Sequence, residues 1–480
     1  MSKVDNTANS GASADSMATE YLRATMKVNG SLFDSTETLA HIAAFADSRS
    51  AERYSVLSGV LMRAVAAVPP TVVLPPIIGG AVSLNLLTAS VGASGGGKGT
   101  ADKCAAEAVR FKVGGRRNVP PLPLLPIGTG EGINRTYATA RKQSGRAVIT
   151  WHTDTALFGC RDIASLAALT ARQGATLVPE LLKAFMGEEL GFANADAERR
   201  VILPMHSYRL CLSAGVQPAN GGVLIDDQAQ RDGVPQRFIW TPVRPGIART
   251  RRAADAAPVD PLTVPVPDFG TDPFALPDDD GEAFDPAARP LVPLDVAESI
   301  RQTIIDADAE KDLDPFGRCG DPLAGHRLLT QLNVAAALAI LHNRTDVDAE
   351  HWEIAERLIE VSSEVADAVA VASGTAAEDD AMRQGHLDGQ RQAAADKSRD
   401  GVRDQAAADR IERYLTGRGW VSRSALRGSL SSRLRGSFDA AVELLLEREW
   451  LDMRDHVNDK GQPGIQYAVV KPSARPYGVS

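Results

Sequence analysis

Apolar positions recur every three to four residues through LAHIAAFADSRSAERYSVLSGVLMRAV, residues 39–65, and this spacing predicts two helices. The pattern then changes. AVSLNLLTASV is almost continuously apolar, as a strand buried on both faces would be, and TADKCAAEAVRF returns to helical spacing beyond a glycine-rich stretch. Short apolar runs follow in PPLPLLPI, AVITW, TALFGC, SYRLCLSAGV and RFIWTPV, with helical text between them. Such alternation predicts an α/β core over about 35–250, built on a mixed or parallel sheet flanked by helices.

Outside that core the text varies. Residues 1–34 are polar and small at their start, without the charged opening and apolar run of a secretory signal, and are expected to be disordered. Proline and aspartate crowd residues 251–295, which read as a linker or surface insertion. Helical spacing resumes over 296–374, as expected of a helical lid, and 375–409 reads as a solvated helix or polar tether. A hydrophobic pattern returns at 410–475, which predicts a separate small domain. Residues 56–91 are apolar over a bilayer-spanning length, but Arg63 and the proline pairs at 69–70 and 75–76 would break a spanning helix. A short helix, a turn-rich loop and a buried strand fit better.

The 480 residues carry a net charge of −9, so no general attraction to nucleic acid or anionic lipid is expected, and any such contact must be local. Cys104, Cys160, Cys211 and Cys319 show no CxxC or Cys/His spacing, which fits reduced thiols in a cytoplasmic protein rather than a disulfide framework or a zinc site.

The glycine-rich stretch SVGASGGGKGTADK carries the chemistry. A loop that grips phosphate needs glycines so that successive N–H groups can converge on an anion, a lysine for the outer phosphates, and a helix N-terminus behind. Gly92, Gly95, Gly96, Gly97, Lys98, Gly99 and Thr100 supply these between a strand and a helix, the context of a Walker A loop. The alternative is a flexible Gly/Ser hinge. Glycine stands at 99 where Ser or Thr is usual, and the GKGT ending resembles nucleotide kinases such as adenylate kinase. Thr100 is thus the candidate on the magnesium side, with ATP and Mg2+ as cofactors. Hydrolysis also needs acids. TALFGC ends in Arg161-Asp162, which makes Asp162 a metal-side candidate against the alternative of a turn aspartate, with Asp154 as a competitor. Glu131, in GTGEG, could polarise water or simply begin a helix. Gln217 ends a strand as a polar sensor would. Arg237 and Arg327 are candidates for transition-state charge across a subunit boundary, each with an ordinary salt bridge as the alternative.

Together, SLNLLTASVGASGGGKGT, GTGEG, LVPELLKAFMGEELGF, SYRLCLSAGVQP, PQRF and HRLLTQLNVAAALAILHNRTDVDAEHWEIA resemble helicase-like P-loop ATPases of phages, prophages and integrated plasmids, over about residues 35–370. The resemblance implies a RecA/AAA+-type ATPase of mobile-element DNA replication that works as an oligomer such as a ring, alongside other replication proteins. It carries Lys98, Glu131, Gln217 and Arg237 onto motif positions, and in RecA-like ATPases the glutamate comes from the strand beside the loop strand. An acidic pair would be expected where Arg161-Asp162 stands.

The last segment gives three short helical patterns and two strands around NDKGQPG, the order of a winged helix-turn-helix. Its third helix, near SFDAAVELLLERE, carries Asp439, Glu443, Glu447 and Glu449, which oppose groove binding. Arg423, Arg427, Arg433 and Arg435 just before it could hold a DNA backbone, while protein contacts are the alternative use. The expectation is an ATP-dependent DNA motor without a membrane partner. Its rivals are an ATP-binding DNA regulator with little hydrolysis and a nucleotide kinase.

Overall fold

The computed structural model describes residues 19–20, 22–113, 117–143, 146–170, 176–191, 201–244, 257–269, 288–312 and 326–470. The chain divides into two compact units, Met1–Ala377 and Glu378–Ser480.

The first unit is α/β, centred on a five-stranded parallel sheet. Its strands are β1 (Leu86–Val91), β2 (Leu124–Pro126), β3 (Thr155–Cys160), β4 (Arg209–Val216) and β5 (Phe238–Pro242), in the order β5-β1-β4-β3-β2. All four pairings are parallel. The near-continuous apolar runs of β1 and β4 follow from this position, because interior strands of a parallel sheet are covered on both faces. Every residue of β4 is buried, and β1 is buried from Leu86 to Ser90. Even Arg209 is enclosed, its guanidinium donating to the carbonyls of Pro69 (2.9 Å) and Val72 (3.0 Å) and to Asn85 Oδ1 (3.4 Å). That enclosure pulls its pKa down to about 10.

Helix α1 (Arg53–Ala66) packs on β1, β4 and β5 and is buried nearly throughout, so it reads as apolar on several faces. Glu52 caps it by accepting the Ser55 N–H at 3.1 Å. Helix α2 (Lys98–Ala108) lies against α1, as does α5 (Arg327–Leu341). Helices α3 (Gly130–Tyr137) and α4 (Ile163–Thr170) pack against β3. Helix α6 runs from Ala349 to Leu415; its exposed stretch from Glu378 to Arg403 carries Arg–Asp pairs three residues apart, such as Arg383–Asp380 and Arg391–Asp388. The polar tether is therefore a solvated helix. Among the described residues no helix is long and apolar enough to cross a membrane.

Several expectations shift. Of the expected disordered N-terminus, residues 1–18 and 21 lie outside the described residues. Residues 22–29 are helical, Leu32 and Phe33 are buried in the turn Gly30–Asp34, and Asn29 Nδ2 donates to Glu360 Oε2 at 2.7 Å. The expected 251–295 linker is structured at its described ends. Leu262–Pro265 pairs with Val109–Val113, and Val292–Pro293 pairs with Val72–Leu74, burying Val264 and Leu294. AVITW belongs to a separate hairpin, Ala138–Gln143 with Arg146–Trp151. Helix α5, placed in a lid by the sequence, is buried from Thr330 to Leu341 and belongs to the same core as α1.

In the second unit, the end of α6 contributes Ala407, Ala408, Ile411 and Leu415 to a small core. Strand Val421–Ser422 follows, then α7 (Arg423–Gly428), α8 (Phe438–Glu447), β6 (Leu451–Val457) and β7 (Pro463–Val469). The three strands form an antiparallel sheet with β7 in the middle.

Two half-buried histidines tie the first unit to pH. Arg237, a pure donor, lies 2.7 Å from His326 Nε2, so that nitrogen must accept. His342 Nε2 lies 3.0 Å from the hydroxyl of Thr36, whose oxygen also caps the helix Glu37–Ser48. Burial chiefly, with neighbouring positive charge second for His326, lowers both pKa values to about 4. The unfolded chain, with an ordinary histidine pKa, then binds more protons between pH 6.5 and 4. Stability is full above that window and is lost as pH falls through it. Urea unfolding should show a loss of about 1–2 kcal/mol per histidine between pH 7 and pH 5, allowing for solvent screening. The double variant His326→Gln/His342→Gln should flatten that dependence.

Candidate nucleotide-binding site

The glycine loop leaves the carboxyl end of β1 and runs straight into α2, the arrangement expected from the sequence. Val216, at the end of β4, accepts the Gly92 N–H at 2.9 Å, and Val243, just past β5, donates its N–H to Val91 at 2.9 Å. Both neighbouring strands thus clamp the root of the loop. A side-chain carbon at Gly92 would come within 2.2 Å of the Val243 methyl. Gly95 and Gly97 have φ of 72° and 115°, conformations that L side chains adopt at a cost.

Gly97 caps α2 without a side-chain acceptor. Among the described residues, the N–H groups of Gly95, Gly97, Lys98 and Gly99 have no main-chain partner, as expected at the start of a helix. These donors, with the helix dipole behind them, create a site for an anion. Lys98 folds back over the loop, its Nζ donating to the carbonyls of Gly92 (2.7 Å) and Ala93 (3.2 Å). Partial burial lowers its pKa, and the charge of Asp162 opposes that shift.

Asp162 reaches this place from β3, two strands from β1. The route passes over Gly215 in β4, where a side-chain carbon would meet the Arg161 carbonyl oxygen at 2.5 Å and Lys98 Cδ at 3.3 Å. Asp162 is exposed and also accepts the Ala164 N–H at 3.0 Å, so it caps the start of α4 while influencing Lys98. Gln217 directly follows Val216, which pairs with Val91, so it stands level with the root of the loop. Thr100 is exposed on the first turn of α2. The fold therefore gathers Gly92–Thr100, Asp162 and Gln217 at one end of the sheet.

The other candidates lie elsewhere. Strand β2, which leads to Glu131, is not beside the loop strand: β4 and β3 intervene, putting it about 14 Å across the sheet at ordinary strand spacing. Glu131 is exposed in the first turn of α3, which Thr129 caps by accepting the Gly132 N–H at 3.2 Å. Asp154 precedes β3, at the opposite sheet end, and pairs with Arg289 at 3.2 Å. Arg237 precedes β5, also at that end. It is buried, bonded to the Gly233 carbonyl at 2.6 Å and to His326, and burial lowers its pKa. Its guanidinium is committed to the interior and cannot serve another subunit as placed. Arg327 opens α5 beside a cavity of about 240 Å3 that Trp240, Gln236, Ser362 and Asp367 also line.

Sequence reasoning missed Gly215 and Asp102. A glycine inside an otherwise apolar strand is the available signal for the first. Asp102, four residues beyond Lys98, accepts from Ser213 Oγ at 2.8 Å and so ties α2 to β4. Burial raises its pKa, while Ser213, Arg63 and Arg161 oppose that rise.

No family model and no curated protein sequence matches the chain.

Gly215→Ala should cost about 1–3 kcal/mol of stability through overpacking. Gly99→Ala, with nothing within 4 Å of the added carbon, should be neutral or mildly stabilising. Thermal unfolding of the two variants beside the native chain checks the contrast.

Proposed function

We propose that this chain is a P-loop ATPase that drives DNA processing, a helicase-like motor of a phage or other mobile element. The observation that carries the reading is the pairing of a glycine loop, on an interior parallel strand, with a helix start that lacks a side-chain cap and a lysine folded over the loop. The loop also lies where connections diverge: the chain leaves β1 toward β2 and returns through β4 before adding β5 on the other side. Ligands of open α/β sheets favour the carboxyl ends of strands at such switch points.

In this reading the free N–H groups surround the phosphate tail of ATP, and Lys98 exchanges its two carbonyl partners for the outer phosphate oxygens. The donor set suits magnesium, which prefers oxygen ligands and usually retains waters beside substrate phosphates. The hydroxyl of Thr100 and the carboxylate of Asp162 would hold it, and the ion would neutralise developing phosphate charge. Gln217 would orient a water or a phosphate oxygen. Arg327 is the better candidate of the two arginines for action across a ring interface, because Arg237 is enclosed. In this reading the short helices and three-stranded antiparallel sheet of the second unit would serve as a winged helix, with DNA as partner.

A specific observation favours a second reading, an ATP-binding regulator with slow turnover: Asp162 is engaged in capping α4, and Glu131 follows a strand at the far edge.

ATP turnover with and without single- and double-stranded DNA separates these. The motor predicts DNA-stimulated turnover that falls by about 100-fold or more in Lys98→Ala. Tight binding of ATP and DNA with negligible turnover would favour the regulator, and turnover only on adding a nucleoside monophosphate would favour a kinase.

A further inference from the structure

The second unit contains an open groove of about 1170 Å3 between α7 and the β6–β7 hairpin. Arg423, Arg427 and Arg435 line it from the helical side, and His456 and Asn458 from the hairpin; Asp455 is the carboxylate among the lining residues. Arg433, grouped with these arginines by sequence, is exposed but does not line the groove. The third helix of the unit has the opposite character. Between Phe438 and Glu447 it has three acids, Asp439, Glu443 and Glu447, all exposed, and no basic residue.

We infer that this unit holds the phosphodiester backbone of duplex DNA in the groove between α7 and the hairpin, with its third helix turned away from the DNA. The inference rests on the DNA reading above and adds the face and the mode of binding. Three guanidiniums face Asp455 in the groove and Asp439, which holds Arg423 at its rim, so a surplus positive charge remains there in a chain whose net charge is −9. Such a field attracts a polyanion, whereas a helix carrying only acids repels it. Arg427 is exposed and has no ion-pair partner among the described residues. Arg435 uses its Nε on the Leu430 carbonyl at 3.2 Å. Its terminal nitrogens remain for phosphate. Arg423 is paired with Asp439 and lies 5.5 Å over the Phe438 ring, so it is held at the rim. Among the described residues no Phe, Tyr or Trp lines the groove. Single-strand grooves stack bases on such rings, so the lining fits a duplex backbone. Backbone binding of this kind positions a protein on DNA without reading its sequence.

The test is fluorescence anisotropy of the full chain with a labelled duplex across a salt series. Arg427→Ala/Arg435→Ala should weaken binding about tenfold or more at low salt and reduce the salt slope by about two, since each arginine neutralises one phosphate. Arg427→Lys/Arg435→Lys should restore most of the affinity, because a point charge suffices for phosphate. Glu443→Gln/Glu447→Gln should change affinity by less than about threefold, as those charges lie off the path of the backbone. Unchanged affinity and slope in the Arg→Ala variant, with its melting temperature preserved, overturns the inference. So does a marked tightening by the Glu→Gln variant alone, which assigns DNA to the third helix, or a preference for single strands that the arginine variants leave intact. A chain that turns over ATP but binds no duplex removes the groove and leaves the ATPase reading standing. Groove-dependent binding without turnover does the reverse.

Discussion

The candidate site depends on one close approach, the passage of the Arg161 main chain over Gly215. Strand β4 lies between the loop strand β1 and the Asp162 strand β3, and a side chain at Gly215 would collide with the Arg161 main chain and crowd Lys98. With glycine there, the Arg161 main chain and the stem of Lys98 both lie over β4, and the Asp162 carboxylate acts on the ammonium. The bonds from Gly92 to Val216 and from Val243 to Val91 fix the loop from either side. A flexible hinge would need none of these constraints.

The rest of the first unit supports that end of the sheet. Helix α1 covers β1, β4 and β5 and also braces α2, so the helix start behind the loop is backed by buried side chains. Asp102 adds a polar tie from α2 to β4. At the opposite end, charges are committed to structure: Arg209 closes main-chain carbonyls, Asp154 holds Arg289, and Arg237 meets His326. The division is physical. Exposed groups gather at the loop, while enclosed groups bonded to carbonyls, a guanidinium or an imidazole brace the far end.

Much of this was legible in the sequence because it depends on local pattern. The apolar runs of β1, β3, β4 and β5 named the strands, and the spacing from Gly92 to Lys98 named the loop. Gln217 was expected at the end of a strand, and that strand, β4, ends beside β1. What escaped depends on strand order, which short runs do not encode. Glu131 was expected beside the loop strand, but β2 forms the sheet edge. Arg237 was a candidate for charge across a subunit boundary, although it is enclosed between the Gly233 turn and His326. Residues 251–295 looked too polar to supply a core, yet two buried valines, Val264 and Val266, lie where that stretch runs beside Val109–Val113. In the second unit the arginines were visible, but only the hairpin geometry separates Arg433 from the three that share a groove.

A crystal structure of the chain with a non-hydrolysable ATP analogue and magnesium tests the central claim most directly. The account predicts the β- and γ-phosphates within hydrogen-bond distance of the N–H groups between Gly95 and Thr100, with Lys98 Nζ moved from the Gly92 and Ala93 carbonyls onto phosphate oxygen. Nucleotide bound away from the loop at saturating concentration, with Lys98 still on those carbonyls, would contradict it.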